Sequence, residues 1–307
     1  MEGGVDVDAV RAIRDEAFGG FIGQERAKQQ IDDLINATIA DAERREMGVP
    51  VDRNYHVVFS GNPGTGKTTM AELIGRVYHA LGIVPSAKVH TVMGTAMISN
   101  YKNETPKKVT EHFDKAKGGV LFIDEAYGMV TPGENEAGKQ AVDTLNDLVL
   151  KNKDTVVIMA GYPGAMGDVF ALNEGMDRRF PTTIDFKDFT QAERMDILRG
   201  AMSSSKVAFA TKPAEAAAKD ALLDTGRGNA GDVMNLWQKV LQAQSNRVAP
   251  SLAGASPQEK ARLMGTVTLA DVKDGHARFL AEARVQSPLR LVAVPTGVKR
   301  APRKAPA

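Results

Sequence analysis

The sequence G-N-P-G-T-G-K-T at residues 61–68 decides the fold of this chain. It satisfies the pattern G-x-x-x-x-G-K-[ST] in full, with an apolar run at 56–60 before it and apolar residues at helical spacing after it. The glycines allow the backbone to wrap closely around phosphate oxygens and to direct N–H groups at them. The stretch therefore predicts a phosphate-binding loop between a strand and a helix, and these flanks argue against an accidental glycine-rich turn.

Two side chains of this loop have predicted chemical roles. Lys67 would reach the β- and γ-phosphates of a nucleotide, and the hydroxyl of Thr68 would ligate Mg²⁺. The start of the following helix adds partial positive charge at the same place. ATP and Mg²⁺ are therefore the predicted ligands.

An acidic pair follows the second diagnostic stretch, the apolar run V-L-F-I at 120–123. Such a run is typical of a buried parallel strand, whose carboxyl end would face the phosphate loop of a neighbouring strand. Asp124 would hold Mg²⁺, mostly through water, and Glu125 would orient and polarise the attacking water. The pair predicts hydrolysis as well as binding; the alternative is a solvated acidic turn.

Strands alternate with helices up to about residue 187, which predicts an α/β fold with a parallel sheet covered on both faces. The pattern then turns helical. We predict a leader at 1–20, a nucleotide-binding α/β domain at 21–187, a helical lid domain at 188–285 and a basic, disordered tail at 286–307. Within these parts, 131–138 and 250–257 are predicted to be a polar loop and a small-residue linker.

Composition excludes several functional classes for this chain of 307 residues. A net charge of +1 gives no global attraction to nucleic acid or membrane, and the absence of cysteine excludes disulfides and thiolate chemistry. The five histidines are scattered without the spacing of a zinc site, and no run approaches the ~20 apolar residues of a membrane span. The N-terminus lacks a signal pattern, so a soluble, cytoplasmic protein is predicted.

Two further positions suggest contacts with other chains. Arg178 and Arg179 precede the last predicted strand, where a guanidinium could reach the γ-phosphate of a neighbouring subunit. The alternative is a pair of surface arginines in salt bridges. Tyr101 lies in a predicted loop at 94–104, where it could grip a translocating polypeptide or instead pack on its own domain.

The chain resembles AAA+ proteins of the group that contains CbbX (the red-type rubisco activase), stage V sporulation protein K and EccA (the type VII secretion ATPase). The resemblance covers about residues 18–247. Its specific stretches are FSGNPGTGKTTMA (59–71), GGVLFIDEAY (118–127), VVIMAGY (156–162), NEGMDRRFPTTIDF (173–186) and GNAGDVMNLW (228–237).

This resemblance implies an AAA+ P-loop domain with a C-terminal helical lid, assembled as a hexamer or helical oligomer with ATP at subunit interfaces. Arg179 matches the arginine finger, Tyr162 stands at the sensor-1 position, and Tyr101 with Lys102 stands in the pore loop. The implied nucleotide-contacting residues, beginning with the adenine pocket, are Ile22, Gly23, Asn62, Pro63, Gly64, Thr65, Gly66, Lys67, Thr68, Thr69 and Tyr162.

The sequence departs from the group at three places. Gly231 stands where relatives carry the sensor-2 arginine, and Arg227 is the nearest substitute along the chain. Lys102 and Asn103 replace an apolar residue and a glycine of the pore loop. The basic tail is not part of the family core.

The sequence is compatible with three functions. The first is an ATPase that remodels an unidentified protein substrate by threading it through the oligomer. The second is an ATP-dependent assembly scaffold or switch without threading. The third is a nucleic-acid-acting AAA+ protein, for which the basic tail is the sole support.

Overall fold

The computed structural model describes residues 6–99, 101, 104–130, 136–226 and 228–290, with side chains as far as Glu282. The described chain forms two compact units. The larger unit contains 6–197 and 226–232, and the smaller unit contains 198–225 and the residues from 233 onward. The segment 226–232 thus returns to the larger unit. The predicted boundary at 187/188 stays a prediction.

The larger unit is built on a five-stranded sheet in the order β2-β3-β4-β1-β5, and each neighbouring pair is parallel. The strands are β1 (Val57–Ser60), β2 (Val89–Met93), β3 (Val120–Asp124), β4 (Val156–Gly161) and β5 (Thr182–Asp185).

The helices of the larger unit lie before, between and after these strands. They are α1 (Val7–Gly19), α2 (Glu25–Glu46), α3 (Lys67–Ala80), α4 (Thr105–Ala116), α5 (Glu136–Lys151), α6 (Pro163–Ala171), α7 (Met176–Arg179) and the first part of α8 (Gln191–Ser204). Short 3-10 turns at Gly94–Met97 and Ala126–Met129 follow β2 and β3.

Alternate residues of the central strands enter two separate apolar layers, one on each face of the sheet. On β3, Val120 and Phe122 join the layer that contains the buried side of α3, whereas Leu121 and Ile123 join the opposite layer. Successive side chains of a strand point to opposite faces, so continuous apolar runs are required when both faces are covered. The predicted α/β fold is therefore confirmed.

The strand register places the ends that carry polar groups at one edge of the sheet. Ser60 at the end of β1 lies beside Gly161 at the end of β4, and Met93 of β2 lies beside Asp124 of β3. Because all five strands are parallel, the residues that follow them meet at this carboxyl edge. The phosphate loop, the acidic pair and Tyr162 therefore gather at one place.

The smaller unit contains the rest of α8 and a parallel pair formed by β6 (Ala208–Phe209) and β7 (Thr266–Val267). Its other helices are α9 (Lys212–Ala221), most of α10 (Asn229–Leu252), α11 (Pro257–Met264) and α12 (Leu269–Arg290). Asp271 accepts hydrogen bonds from the Nε and Nη2 atoms of Arg247 at 2.8 and 2.9 Å, which ties α10 to α12.

Three sequence predictions need correction. The predicted loop at 131–138 is too long, because α5 begins at Glu136. The predicted linker at 250–257 is too long at both ends, since α10 continues through Pro250 to Leu252 and α11 begins at Pro257. The helix α12 reaches Arg290, so the tail does not begin at 286, and residues 291–307 lie outside the described residues. In the described part of the chain, no helix is both long and apolar enough to cross a membrane.

Candidate active site

The phosphate loop runs from the end of β1 into the first turn of α3. Gly64 and Gly66 adopt left-handed backbone angles, with φ of 70° and 96°. A Cβ atom at Gly64 would lie 2.3 Å from the carbonyl oxygen of Gly228, so no side chain fits there. The predicted close wrapping of this loop therefore has a steric basis in the tertiary structure.

The side chain of Lys67 is buried and lies back against its own loop. Its Nζ atom donates hydrogen bonds to the carbonyl oxygens of Gly61 at 3.0 Å and Asn62 at 2.8 Å. Burial lowers the pKa of Lys67, and the nearby charges of Asp124 and Glu125 act in the opposite direction. An ammonium group in such partly dehydrated surroundings is a strong site for an anion.

The acidic pair lies directly after β3. Asp124 is the last residue of the strand, and its Oδ1 atom accepts a hydrogen bond from the N–H of Glu125 at 2.9 Å. Glu125 has a φ of 48°, an uncommon backbone conformation for a residue other than glycine. Gly94 makes room for it, because a Cβ atom at Gly94 would lie 2.3 Å from the Glu125 carbonyl oxygen.

One cavity of about 310 Å³ brings most of the predicted site residues together. Lys67, Thr68, Asp124, Glu125 and Tyr162 all line it. The complete lining consists of Gly61, Pro63, Gly64, Gly66, Lys67, Thr68, Thr69, Asp124, Glu125, Tyr127, Gly161, Tyr162 and Ala230.

Tyr127 is a member of this lining that sequence reasoning missed. Its ring lies 5.2 Å from that of Tyr162, and a Cβ atom at Gly161 would lie 3.1 Å from its Cδ1 atom. Burial, followed by the charge of Glu125, raises the pKa of the Tyr127 hydroxyl, and hydrogen bonding with Glu125 and Tyr162 adds to the shift. The available signal was its position two residues after the acidic pair in GGVLFIDEAY.

Two residues of the phosphate loop turn away from the cavity. Asn62 donates to both carboxylate oxygens of Asp188, at 2.7 and 2.9 Å. The hydroxyl of Thr65 donates to the carbonyl oxygen of Asn62 at 2.8 Å, and Thr65 is fully buried. Their side chains therefore shape the loop and do not line the space inside it.

The predicted adenine-pocket residues Ile22 and Gly23 also lie outside the lining of this cavity. Gly23 has a φ of 62°, and a Cβ atom there would lie 2.0 Å from the Oε1 atom of Glu193. The neighbouring Phe21, which sequence reasoning passed over, packs against the loop itself. Its Cζ atom lies 2.2 Å from the position that a Cβ atom of Gly66 would take.

Arg178 and Arg179 form the end of α7, away from the cavity of their own chain. Arg178 is exposed and Arg179 is half-buried. The Nε atom of Arg179 is buried and has no hydrogen-bond partner among the described residues. Its charge acts on His56, whose pKa is lowered to about 4 by burial first and then by Lys153 and Arg179.

Tyr101 is 76% exposed and lies apart from the cavity. This exposure does not support the alternative in which the ring packs on its own domain. Lys102, the second predicted pore-loop residue, and Arg227, the candidate substitute for the sensor-2 arginine, lie outside the described residues.

The polar groups in the cavity fit Mg²⁺ that arrives with a nucleotide. In the described residues no group of three or more histidines and carboxylates could hold a metal by itself. Mg²⁺ is commonly held by one or two protein oxygens together with substrate phosphates and water. The hydroxyl of Thr68 and the carboxylate of Asp124, two residues that line the cavity, match that donor set.

Comparisons with known proteins agree with this geometry. Residues 57–187 match the family described as "ATPase family associated with various cellular activities (AAA)". The chain is 30% identical to stage V sporulation protein K of Bacillus subtilis over 243 residues, which are 76% of this chain and 75% of that protein. It is 32% identical to protein CfxQ of Xanthobacter flavus over 239 residues, again 76% and 75%. The FIGL-1 AAA domain in complex with ADP has a similar fold, with a TM-score of 0.57 and 17% identity over 94% of this chain and 98% of that one.

Proposed function

Because this chain belongs to the ATPase family associated with various cellular activities, in the group of stage V sporulation protein K, we propose that it hydrolyses ATP at the subunit interfaces of a hexamer or helical oligomer and thereby remodels a partner protein. The observation that carries the proposal is the meeting of Lys67, Thr68, Asp124 and Glu125 around one cavity. Binding and hydrolysis of ATP follow from the family. The oligomer, Mg²⁺ and the remodelled partner are proposals.

Each polar residue of the cavity has a separate role in the proposed reaction. Lys67 would leave the carbonyls of Gly61 and Asn62 and bind the β- and γ-phosphates, because a phosphate is a stronger acceptor for an ammonium group. Thr68 and Asp124 would hold Mg²⁺, whose charge neutralises phosphate oxygens during transfer. Glu125 would hold the attacking water in line with the γ-phosphate and accept its proton.

The proposed active site is completed by a second copy of the chain. Arg179 does not line the cavity of its own chain and is half-buried rather than enclosed, which supports a guanidinium that finds its acceptor on another chain. An arginine from a neighbouring subunit would stabilise the charge that develops on the γ-phosphate. Arg178 is the second candidate for this role.

The remodelling function rests on Tyr101. Its exposed ring is suited to contact an extended polypeptide. We expect Tyr101→Ala to abolish remodelling of a captured partner while ATP hydrolysis continues. Retention of both activities by this variant would contradict threading through Tyr101.

A scaffold or switch without threading is the second candidate, and Gly231 is the observation that favours it. Among the described residues beyond its own helix turn and chain neighbours, no heavy atom lies within 4 Å of the position of a Cβ atom there, so a side chain can begin at Gly231 without a clash with them. Electron microscopy with and without ATP separates the two functions. Filaments or open spirals would favour the scaffold, and closed rings would favour remodelling.

The nucleic-acid function gains no support from the described residues, and a gel shift at low salt tests it.

The central experiment is ATP hydrolysis by the wild-type chain and two lysine variants. Lys67→Ala should lose hydrolysis and bind nucleotide weakly, because the buried cation of the loop is gone. Lys139→Ala, on the exposed side of α5, is the matched control and should retain wild-type activity. A wild-type chain without ATPase activity, or an active Lys67→Ala variant, would overturn the proposal. The partner can be captured with Glu125→Gln, which should bind ATP and stall.

A further inference from the structure

The first residue of α10 is a buried asparagine in an uncommon backbone conformation. Asn229 is fully buried and has a φ of 53°. Asparagine tolerates this left-handed region better than most residues, although glycine is the residue that adopts it most freely. The backbone conformation alone therefore does not explain why this position carries an asparagine side chain.

This side chain connects three separate parts of the larger unit. Its Oδ1 atom accepts a hydrogen bond from the N–H of Phe189 at 2.9 Å. Its Nδ2 atom donates to Asp188 Oδ1 at 2.8 Å and to the carbonyl oxygen of Pro63 at 3.2 Å. Asp188 in turn accepts both hydrogen bonds from Asn62. Asn62 and Pro63 belong to the phosphate loop, so the loop is hydrogen-bonded to the start of α10 through Asn229 and Asp188.

The next residue of α10 makes a second contact of the same kind. The N–H of Ala230 donates to the carbonyl oxygen of Gly64 at 3.1 Å. In a trans peptide the C=O of one residue and the N–H of the next point in opposite directions. Holding the carbonyls of Pro63 and Gly64 toward the start of α10 therefore directs the N–H groups of Gly64 and Thr65 away from it.

We propose that Asn229 is a positioning residue that couples occupancy of the phosphate loop to the start of α10. This inference rests on the proposed nucleotide-binding function of the same loop. A phosphate that binds the N–H groups of Gly64 and Thr65 favours the peptide orientation that Asn229 and Ala230 hold. By linkage, the ordered start of α10 must then favour nucleotide to the same degree. The contact uses the side-chain amide of Asn229 and the backbone N–H of Ala230. The next residue, Gly231, stands where relatives carry the sensor-2 arginine.

The test compares two substitutions that relieve the same backbone conformation. Asn229→Gly removes the side-chain hydrogen bonds without strain, since glycine adopts positive φ freely. Lys206→Gly is the matched control, because Lys206 also has a positive φ, of 55°, but is exposed and belongs to the smaller unit. A fluorescent ADP analogue measures affinity. The single tryptophan, Trp237, lies on α10 two turns beyond Asn229 and reports on the helix through its emission.

We expect wild-type protein and Lys206→Gly to bind the ADP analogue equally and to change Trp237 emission at saturation. Asn229→Gly should bind about tenfold more weakly, which corresponds to a coupling free energy of about 1.4 kcal/mol. At saturating nucleotide its Trp237 emission should no longer respond. If Asn229→Gly does not fold, Asn62→Ala provides the same test, with a loss of about threefold and a reduced Trp237 response.

Two results would overturn the coupling. One is a wild-type chain that binds nucleotide with no change in Trp237 emission. The other is an Asn229→Gly variant with wild-type affinity and a full Trp237 response. Failure of the proposed function is a different outcome, because wild-type protein would then bind no ADP analogue at all.

Discussion

The rings of Tyr127 and Tyr162 lie with their centroids 5.2 Å apart and their planes tilted by 42°, on one wall of the cavity that contains Lys67. Tyr127 follows β3 and Tyr162 follows β4, so the pair connects the acidic loop to the neighbouring strand end. Because the pKa of Tyr127 is raised by burial and by Glu125, its hydroxyl stays protonated and can donate to the Glu125 carboxylate. Tyr127 is therefore placed to orient the residue that would activate water.

This placement predicts the effect of removing one oxygen atom. Tyr127→Phe keeps the ring but loses the hydroxyl, so we expect the kcat for ATP hydrolysis to fall about tenfold while the affinity for ATP changes less than about twofold. Steady-state kinetics and a binding titration check the two values, and an unchanged Tm shows that the fold is intact. Wild-type kcat in this variant would mean that Glu125 is positioned without Tyr127.

The donor set of Thr68 and Asp124 predicts a dependence on Mg²⁺. EDTA should abolish hydrolysis, and Thr68→Ala or Asp124→Asn should raise the Mg²⁺ concentration for half-maximal activity by about tenfold or more. A Mg²⁺ titration of ATPase activity measures this concentration. Asp147→Asn, an exposed acid on α5, is the control for loss of one negative charge and should titrate as the wild type does.

The position of Arg179 predicts complementation between inactive subunits. Arg179→Ala should lower kcat by about 10³-fold, as loss of an arginine finger does. Mixing it equally with Lys67→Ala should restore about a quarter of wild-type activity, since a half of the loops meet a half of the arginines in a random oligomer.

The matched variant for this experiment is Arg178→Ala. If Arg179 is the finger, Arg178→Ala alone retains most of the wild-type activity. Mixing Arg178→Ala with Lys67→Ala then gives no more activity than Arg178→Ala alone. The reverse pattern would transfer the role to Arg178. An absence of recovery in every mixture would contradict a site shared between subunits.

The open space at Gly231 predicts a gain of function. Gly231→Arg restores the residue type that relatives carry, and no described residue beyond its own helix turn and chain neighbours lies within 4 Å of its Cβ position. Replacing glycine within the first turn of α10 should also stabilise the helix by up to about 1 kcal/mol. We expect kcat for ATP hydrolysis to rise several-fold, measured beside Gly231→Ala, which tests the helix effect alone. Equal activities in these two variants would show that the arginine adds nothing.

The buried His56 predicts a loss of stability in acid. Its ring accepts a hydrogen bond from the N–H of Val157 at 3.0 Å, and burial lowers its pKa to about 4, against about 6.5 in an unfolded chain. The unfolded state therefore binds more protons between these values, so stability falls as pH decreases from about 6.5 to about 4. The loss by pH 5 should be about 2 kcal/mol.

Urea unfolding at pH 7.5 and pH 5 measures this effect. His56→Asn offers an uncharged acceptor to Val157, so its free energy of unfolding should fall less between the two pH values than that of the wild type. Identical losses in both proteins would mean that His56 does not titrate on unfolding.

Local sequence patterns were sufficient to predict those features of the protein that depend on residues close together along the chain. The loop at 61–68 needs glycines at close spacing, and strands covered on both faces need unbroken apolar runs, so both features were predictable. The α6 helix was not predicted, because Pro163–Ala171 carries two glycines and two alanines among its nine residues and shows no clear apolar stripe at helical spacing. The end of α10 was misplaced because Pro250 usually breaks a helix, yet it lies here in the last turn before Leu252.

The sequence by itself therefore determined the phosphate loop, the acidic pair and the parallel α/β fold, because a short pattern of residue types specifies each of them. The tertiary structure alone decided that Tyr127 joins Tyr162 and that Asn229 holds Pro63, 166 positions away along the chain. Such contacts depend on the strand order β2-β3-β4-β1-β5, which brings distant segments to one edge of the sheet. No local pattern specifies that order, since it is the burial of both faces of the whole sheet that selects it.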